Sequence, residues 1–203
     1  MVVMQRSRKT QRERSDATTG ELLEAARELF ARDGYAATSL DAVCDRAGVS
    51  KGALYHHFRN KESLFAAVYA KVQKDLAAVV AGAGRREPDP WLAVYEGCRR
   101  FLVASLDPEI QRITLLDAPS TLGWEVLRDS RGDSKNAMRL AVTRAMREGR
   151  IAERPVEPLV SLLYGAVCET AMTVARADDQ QAMLAAALDE LRRLFRQLGA
   201  AAG

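Results

Sequence analysis

Two adjacent histidines, His56 and His57, lie near the end of the stretch AGVSKGALYHHF (residues 47–58), and they are the only histidines of the chain. Imidazoles commonly serve metal ligation, proton transfer or contact with a partner. Spacing separates these uses. On a helix turning about 100° per residue, neighbouring side chains diverge by that angle, whereas a chelating pair needs i, i+4 spacing. One ion cannot be held by both rings, so no metal is expected. No Ser, Cys or carboxylate stands at a spacing that suggests an activated nucleophile, and a surface helix lacks the pocket such chemistry needs. No catalytic residue is assigned, and no enzyme is expected. Contact with DNA remains: Leu54 and Phe58 fall on an inward stripe, while Gly52 and His56 point almost directly away from it. Lys51 and Tyr55 flank the outer face on one side, Ala53 and His57 on the other. Polar tips at the edges and small residues at the centre let a backbone come close.

Such a face needs neighbours to hold it. A first helix is expected from about Thr18, where Thr18 and Glu21 form a possible capping box, through Leu22, Ala26, Leu29 and Phe30 to a stop at Asp33-Gly34. Thr38-Ser39-Leu40-Asp41 opens a second, with Leu40, Val43, Cys44 and Ala47 on one stripe, and Gly48 ends it. Ser50 caps the short third helix to about His57. Asn60 caps a fourth, running from Lys61 to the Gly82-Ala83-Gly84 break. Helix, glycine-containing turn and short helix make a helix-turn-helix, whose second helix lies in the major groove.

Composition narrows the class. With 203 residues and 48% hydrophobic content the chain can bury a proper core, and its periodicity is helical almost throughout, so an all-α protein is expected. No apolar run reaches eighteen residues, and the N-terminus lacks the apolar block of a secretory signal, so the protein is expected to be cytoplasmic. Cys44, Cys98 and Cys168 lack metal or disulfide spacing and read as reduced, mostly buried thiols. The net charge of +3 decides little, yet Arg6, Arg8, Lys9, Arg12 and Arg14 against Glu13 give the N-terminus a basic excess. A flexible arm over 1–17 that reaches nucleic acid is the expectation, and a solvated tail without function fits the charges equally.

The run TSLDAVCDRAGVSKGALYHHFRNKESLFAAVY (residues 38–69) resembles the DNA-binding domain of the TetR/AcrR family of bacterial regulators. It matches the family pattern A-G-V-S-x-G-x-L-Y-x-[HY]-F-x-x-K-x-x-L at every marked position. The resemblance implies an all-helical homodimer, usually a repressor, whose C-terminal domain binds a small molecule and releases a palindromic operator. Carried over by position, Thr38, Ser39, Ser50, Tyr55 and Lys61 match phosphate-contacting residues, and Lys51, Gly52, Ala53 and His56 the groove-facing surface. Helix N-termini there present free N–H groups to phosphates. His57 is expected to be structural.

Beyond residue 84 the pattern is looser. After Pro88 and Pro90 a fifth helix is expected from Trp91 to about Leu106, and Asp107-Pro108 starts a sixth, broken at Pro119 and Gly123. A seventh spans Trp124 to Glu148, interrupted at SRGDSKN. An eighth follows the prolines of RPVEP, and Asp178 or Asp179 caps a ninth. The segments RITLLDAPSTLGWEVLRD and VEPLVSLLYGAVCETAM are similar to C-terminal domains of one broad subset of the same family. Leu184, Leu188, Leu191, Phe195 and Leu198 form a single seam on the ninth helix, while Leu159 to Ala175 holds one charge, Glu169, and must be covered on two sides. The family resemblance implies a bundle of these two helices from both subunits, with Gly165 and Ala166 allowing close approach; a monomer core is the alternative.

The expected organisation is thus an arm (1–17), a helix-turn-helix domain (18–64) and a ligand-binding and dimerisation domain (65–203). Candidate pocket residues are Trp91, Tyr95, Phe101, Trp124, Met138, Tyr164 and Met172, which suit a largely apolar effector or an ordinary core equally. Asp117 and Glu169 are carboxylates in apolar surroundings that call for a partner: Arg99 or Arg100, or a cationic ligand. The expected function is a ligand-responsive DNA-binding regulator without cofactor. A dimeric helical scaffold whose helix-turn-helix does not bind DNA is the competing reading, and Tyr55, His56, Lys61 and the basic arm favour DNA.

Overall fold

The structure, a computed structural model, describes residues 11–200, so Arg6, Arg8 and Lys9 of the expected arm lie outside the described residues. Every regular element among the described residues is helical, as the periodicity requires. The chain divides into two compact units, Met1–Val68 and Tyr69–Gly203.

Unit one is built from α1 (Gln11–Ala37), α2 (Leu40–Ala47), α3 (Lys51–His57) and the first turns of α4 (Lys61–Gly84). Helix α1 starts seven residues before the expected Thr18, which is no cap. Nothing between Gln11 and Thr18 breaks a helix, and Thr19 satisfies its hydroxyl inside it by donating to the Ser15 carbonyl at 3.0 Å. The helical path ends where Asp33-Gly34 predicted, at Gly34 with φ 82° and ψ 167°, a conformation that favours glycine. The turn between α2 and α3 likewise rests on Gly48 in the left-handed region, φ 67°. Leu22, Phe30, Leu54, Leu64, Phe65 and Val68 are fully buried, and Phe30 meets Phe65 edge-on at 5.0 Å.

Unit two contains the rest of α4, then α5 (Pro90–Ala104), α6 (Pro108–Ile110), a π-helical segment (Gln111–Asp117), α7 (Ala118–Thr121), α8 (Trp124–Ser130), α9 (Gly132–Arg147), α10 (Val156–Arg176) and α11 (Gln180–Ala200). Asp89 with Pro90 at the first helical position starts α5, and Asp107-Pro108 starts α6 in the same way. The expected sixth helix is therefore three short pieces. The break within SRGDSKN separates α8 from α9, and Asp179 caps α11 by accepting from the Ala182 N–H at 2.9 Å. Helix α10 is long and apolar enough to cross a membrane by length and composition. Its Val160, Leu163, Val167, Ala171 and Val174 are instead buried in the core with Trp91, Val94, Leu102 and Val142. Burying each of these valines and leucines contributes roughly 1.5–3 kcal/mol.

Candidate DNA-reading surface and ligand cavity

Helix α3 presents the face that its spacing predicts. Leu54 and Phe58 are buried, Lys51, Gly52, Tyr55 and His56 are exposed, and Ala53 and His57 are half-buried at the flank. His57 turns toward α1, where its Nδ1 pairs with the Thr19 hydroxyl at 3.2 Å, a contact that braces the reading helix. Lys51 pairs with Asp41 at 2.8 Å across the turn, a solvent-exposed bridge of small energetic weight. Gly52 has open space: an added Cβ would meet only Ser50 Oγ, at 3.9 Å. Packing within the unit therefore does not require a glycine there.

Ser39 and Ser50 are the N-caps of α2 and α3, accepting from the N–H groups of Ala42 and Ala53 at 3.1 and 3.2 Å. Both are exposed, at helix ends whose remaining N–H groups and positive dipole suit an anion. Thr38, expected to cap α2 and to contact phosphate, leaves the cap to Ser39. It is buried, and its hydroxyl donates to the carbonyls of Gly34 at 2.8 Å and Leu29 at 3.2 Å, locking the corner between α1 and α2. Lys61 lies at the start of α4, with Nζ donating to the Ala36 carbonyl at 3.1 Å and 4.4 Å from the Tyr35 ring centroid. The ammonium has three donors, so this anchoring leaves others for a phosphate.

Unit two holds a cavity of about 800 Å³ whose walls come from α4, α5, α9 and α10. Leu76, Val80, Val94, Phe101, Met138 and Val167 make it largely apolar, and Arg85, Glu87, Asp133 and Arg144 also line it. A second chamber of about 140 Å³ adjoins it; Gln73, Phe101, Tyr164 and Cys168 line both. Burial pushes the Cys98 thiol up to about 12 and raises Tyr164 and Cys168, so these wall groups are neutral near pH 7. That α4 lines a hollow with Leu76 and Val80 depends on how the other helices pack against it.

Of the expected pocket residues, Phe101, Met138 and Tyr164 line the large cavity, and Phe101, Tyr164, Glu169 and Met172 the small one. Trp91 does not. It is stacked on Phe195 at 4.5 Å, with its indole N–H bonded to the Phe195 carbonyl at 3.0 Å, and Tyr95 packs against the same ring. Trp124 is 71% exposed and lines neither cavity. Asp117 pairs with Arg112 at 3.3 Å, and Arg99 with Glu96 at 2.8 Å, so neither expected arginine pairing occurs. Glu169 is exposed and makes no ion pair among the described residues, so of its two readings the core ion pair is not formed.

The expected dimer seam also changes. Leu184, Leu191 and Phe195 are buried in their own chain, because α11 turns this stripe onto α5, and Leu188 and Leu198 pack beside them. On the open faces of α10 and α11 stand Leu162 at 72% exposure, Gly165, Ala166, Met183 and Leu194. Of the seven expected interface residues, Gly165 and Ala166 are the exposed ones.

Sequence comparison agrees with this architecture. The bacterial regulatory proteins of the tetR family match residues 22–68, and the tetracyclin repressor-like C-terminal domain matches residues 91–198. The transcriptional repressor AcnR of Corynebacterium glutamicum is 29% identical over 144 residues, 70% of this chain and 74% of that protein. A TetR-family transcriptional regulator from Pectobacterium atrosepticum has a solved structure with a TM-score of 0.83 and 34% identity, covering 94% of this chain and 97% of that one. The regulator FadR of Bacillus subtilis, solved with stearoyl-CoA, shares the fold at a TM-score of 0.72 and 19% identity over 87% of this chain and 96% of its own. With a reading helix in the first unit and a matching C-terminal domain in the second, the chain belongs to the TetR family of DNA-binding transcriptional regulators.

Proposed function

We propose that the chain is a cytoplasmic, homodimeric repressor that binds a palindromic operator and leaves it when a small, largely apolar molecule enters the second unit. The observation that carries this reading is the outer face of α3. Lys51, Gly52, Tyr55 and His56 are exposed together beside the capped N-termini at Ser39 and Ser50, which suits base-edge contact flanked by phosphate contact. Tyr55, 57% exposed, presents its hydroxyl on that face rather than packing in the core. The cavity of about 800 Å³ falls in the range that holds a drug-sized ligand. Helix α4 carries Lys61 at one end and the cavity residues Gln73, Leu76 and Val80 further along, so one element can report occupancy to the DNA contacts. An effector acts only if it binds the released arrangement better than the DNA-bound one.

Dimerisation through the open faces of α10 and α11 supplies the second half-site reader. Leu162, Met183 and Leu194 provide apolar contact there, and Gly165 and Ala166 let helices approach. AcnR, similar over 70% of this chain, is named a repressor, whereas FasR of Mycolicibacterium smegmatis, similar over 36% of it, is named an activator.

An electrophoretic shift on the DNA upstream of the chain's own gene tests the reading. A specific, salt-sensitive complex of dimer stoichiometry is expected. Equal affinity for that DNA and for unrelated duplex of the same length would overturn operator recognition.

A further inference from the structure

We propose that the small chamber beside the main cavity is an anion-accepting head-group site, so that the effector is an amphipathic carboxylate with its acid group on Arg131 and Thr114 and its apolar body in the larger cavity. The proposal rests on reading that cavity as the effector site. Arg131 joins α8 to α9 and lines the chamber. Its Nε donates to Tyr69 Oη at 3.1 Å, which fixes the guanidinium plane. Its terminal amino groups have no partner among the described residues, and no carboxylate there lies within ion-pair distance. A half-buried cation whose neighbours are the neutral side chains of Tyr69, Tyr164 and Cys168 is a costly arrangement, and a carboxylate is the complement of its planar fork.

Thr114 points independently to a ligand. It is 2% exposed, its Oγ1 has no hydrogen-bond partner, and it lines the same chamber. It lies within the π-helical segment Gln111–Asp117, a backbone form that recurs at functional sites. In a regular helix a threonine hydroxyl commonly bonds the carbonyl one turn back, as Thr19, Thr143, Thr170 and Thr173 do here; Thr114 does not. Gln73, 7% exposed on the boundary of the two cavities, is likewise without a side-chain hydrogen bond among the described residues. Glu169 also lines the chamber; being exposed and unpaired with Arg131, it does not neutralise the guanidinium. The space suits one carboxylate and the first carbons behind it, and the four side chains common to both cavities put the apolar cavity next to it for the rest of the molecule.

Calorimetry on the purified full chain, without DNA, tests this with decanoate, decanol and decylammonium, which share one alkyl body. Decanoate should bind about tenfold more tightly than decanol, the scale of a charge-assisted pair, and decylammonium more weakly than either. Arg131→Gln should abolish the preference for decanoate while leaving decanol affinity unchanged, and Arg131→Lys should restore part of it. Thr114→Val should weaken decanoate by about threefold without lowering the melting temperature, because it removes a buried hydroxyl that had no partner. That pairing keeps the test open even if Arg131→Gln folds poorly. Decanol binding as tightly as decanoate, no decanoate binding at all, or equal losses for decanoate and decanol in Arg131→Gln would each overturn the proposal. Operator binding is measured in a separate gel shift, so failure there counts against the regulatory reading while the calorimetric preference reports on the chamber alone.

Discussion

The indole N–H of Trp91 donates to the main-chain carbonyl of Phe195 at 3.0 Å while the two rings stack at 4.5 Å, tying the start of α5 to the end of α11. Residues 91 and 195 therefore belong to one chain's core. Phe195→Glu should lower the stability of the second unit by several kcal/mol, because it places an unpaired carboxylate where an aromatic ring was buried. Leu162→Glu and Leu194→Glu, on the open faces, should leave melting nearly unchanged and shift sedimentation toward monomer. If Phe195→Glu gave a well-folded monomer, the assignment of this stripe to the intrachain core would be wrong.

Lys61 reaches back to the Ala36 carbonyl and over the Tyr35 ring, which holds its ammonium at the junction of α1 and α4. Lys61→Ala should weaken specific and unrelated duplexes alike and reduce the slope of log affinity against log salt by about 1, as for loss of one phosphate contact. Unchanged salt dependence removes Lys61 from the interface. Thr38→Ser, by contrast, keeps the buried hydroxyl that holds the α1–α2 corner and should leave affinity nearly as it was.

Gly52 has room for a side chain within its own unit. Gly52→Gln should therefore fold with a melting temperature close to the parent's, and exchange of a glycine inside a helix favours the change slightly. Operator affinity should nevertheless fall by about tenfold or more, since the added side chain occupies the space into which the groove must come. Retained affinity in a gel shift would show that α3 does not approach DNA by this face.

Burial raises the Cys98 thiol to about 12 from an ordinary value near 9. The folded state then holds this proton more tightly than the unfolded chain does, so the stabilisation is complete below pH 9 and declines between pH 9 and about 12 as the unfolded thiol ionises first. Cys168, Tyr69 and Tyr164, also raised by burial, act in the same direction. Alkaline melting curves should show this decline, and Cys98→Ala should make it shallower even though the variant starts from lower stability. A thiol reagent at pH 7 should label Cys98 only as the unit opens. Rapid labelling of native protein would contradict its burial.

Much of the first unit was legible in the residues because its signals are local. A short cap, a glycine in the left-handed region and one stripe of apolar residues set α2, the turn and α3, and a helix that buries Leu54 and Phe58 must expose Gly52 and His56. Thr38 escaped this logic: a threonine before a helix reads as a cap, and only the path of α1 past Gly34 turns its hydroxyl inward, leaving Ser39 to cap. The second unit was decided by tertiary packing. Its helices announced themselves through proline, aspartate and glycine punctuation, yet periodicity states only that a stripe is buried, and nothing local says against which helix. The Leu184–Leu191–Phe195 stripe could equally have met a second subunit, and the contact with Trp91, distant in sequence, settles that it meets its own chain. Arg131 and Thr114 look ordinary in the sequence for the same reason. Their significance lies in missing partners, and a missing partner is a property of the space around a side chain that only the assembled helices define.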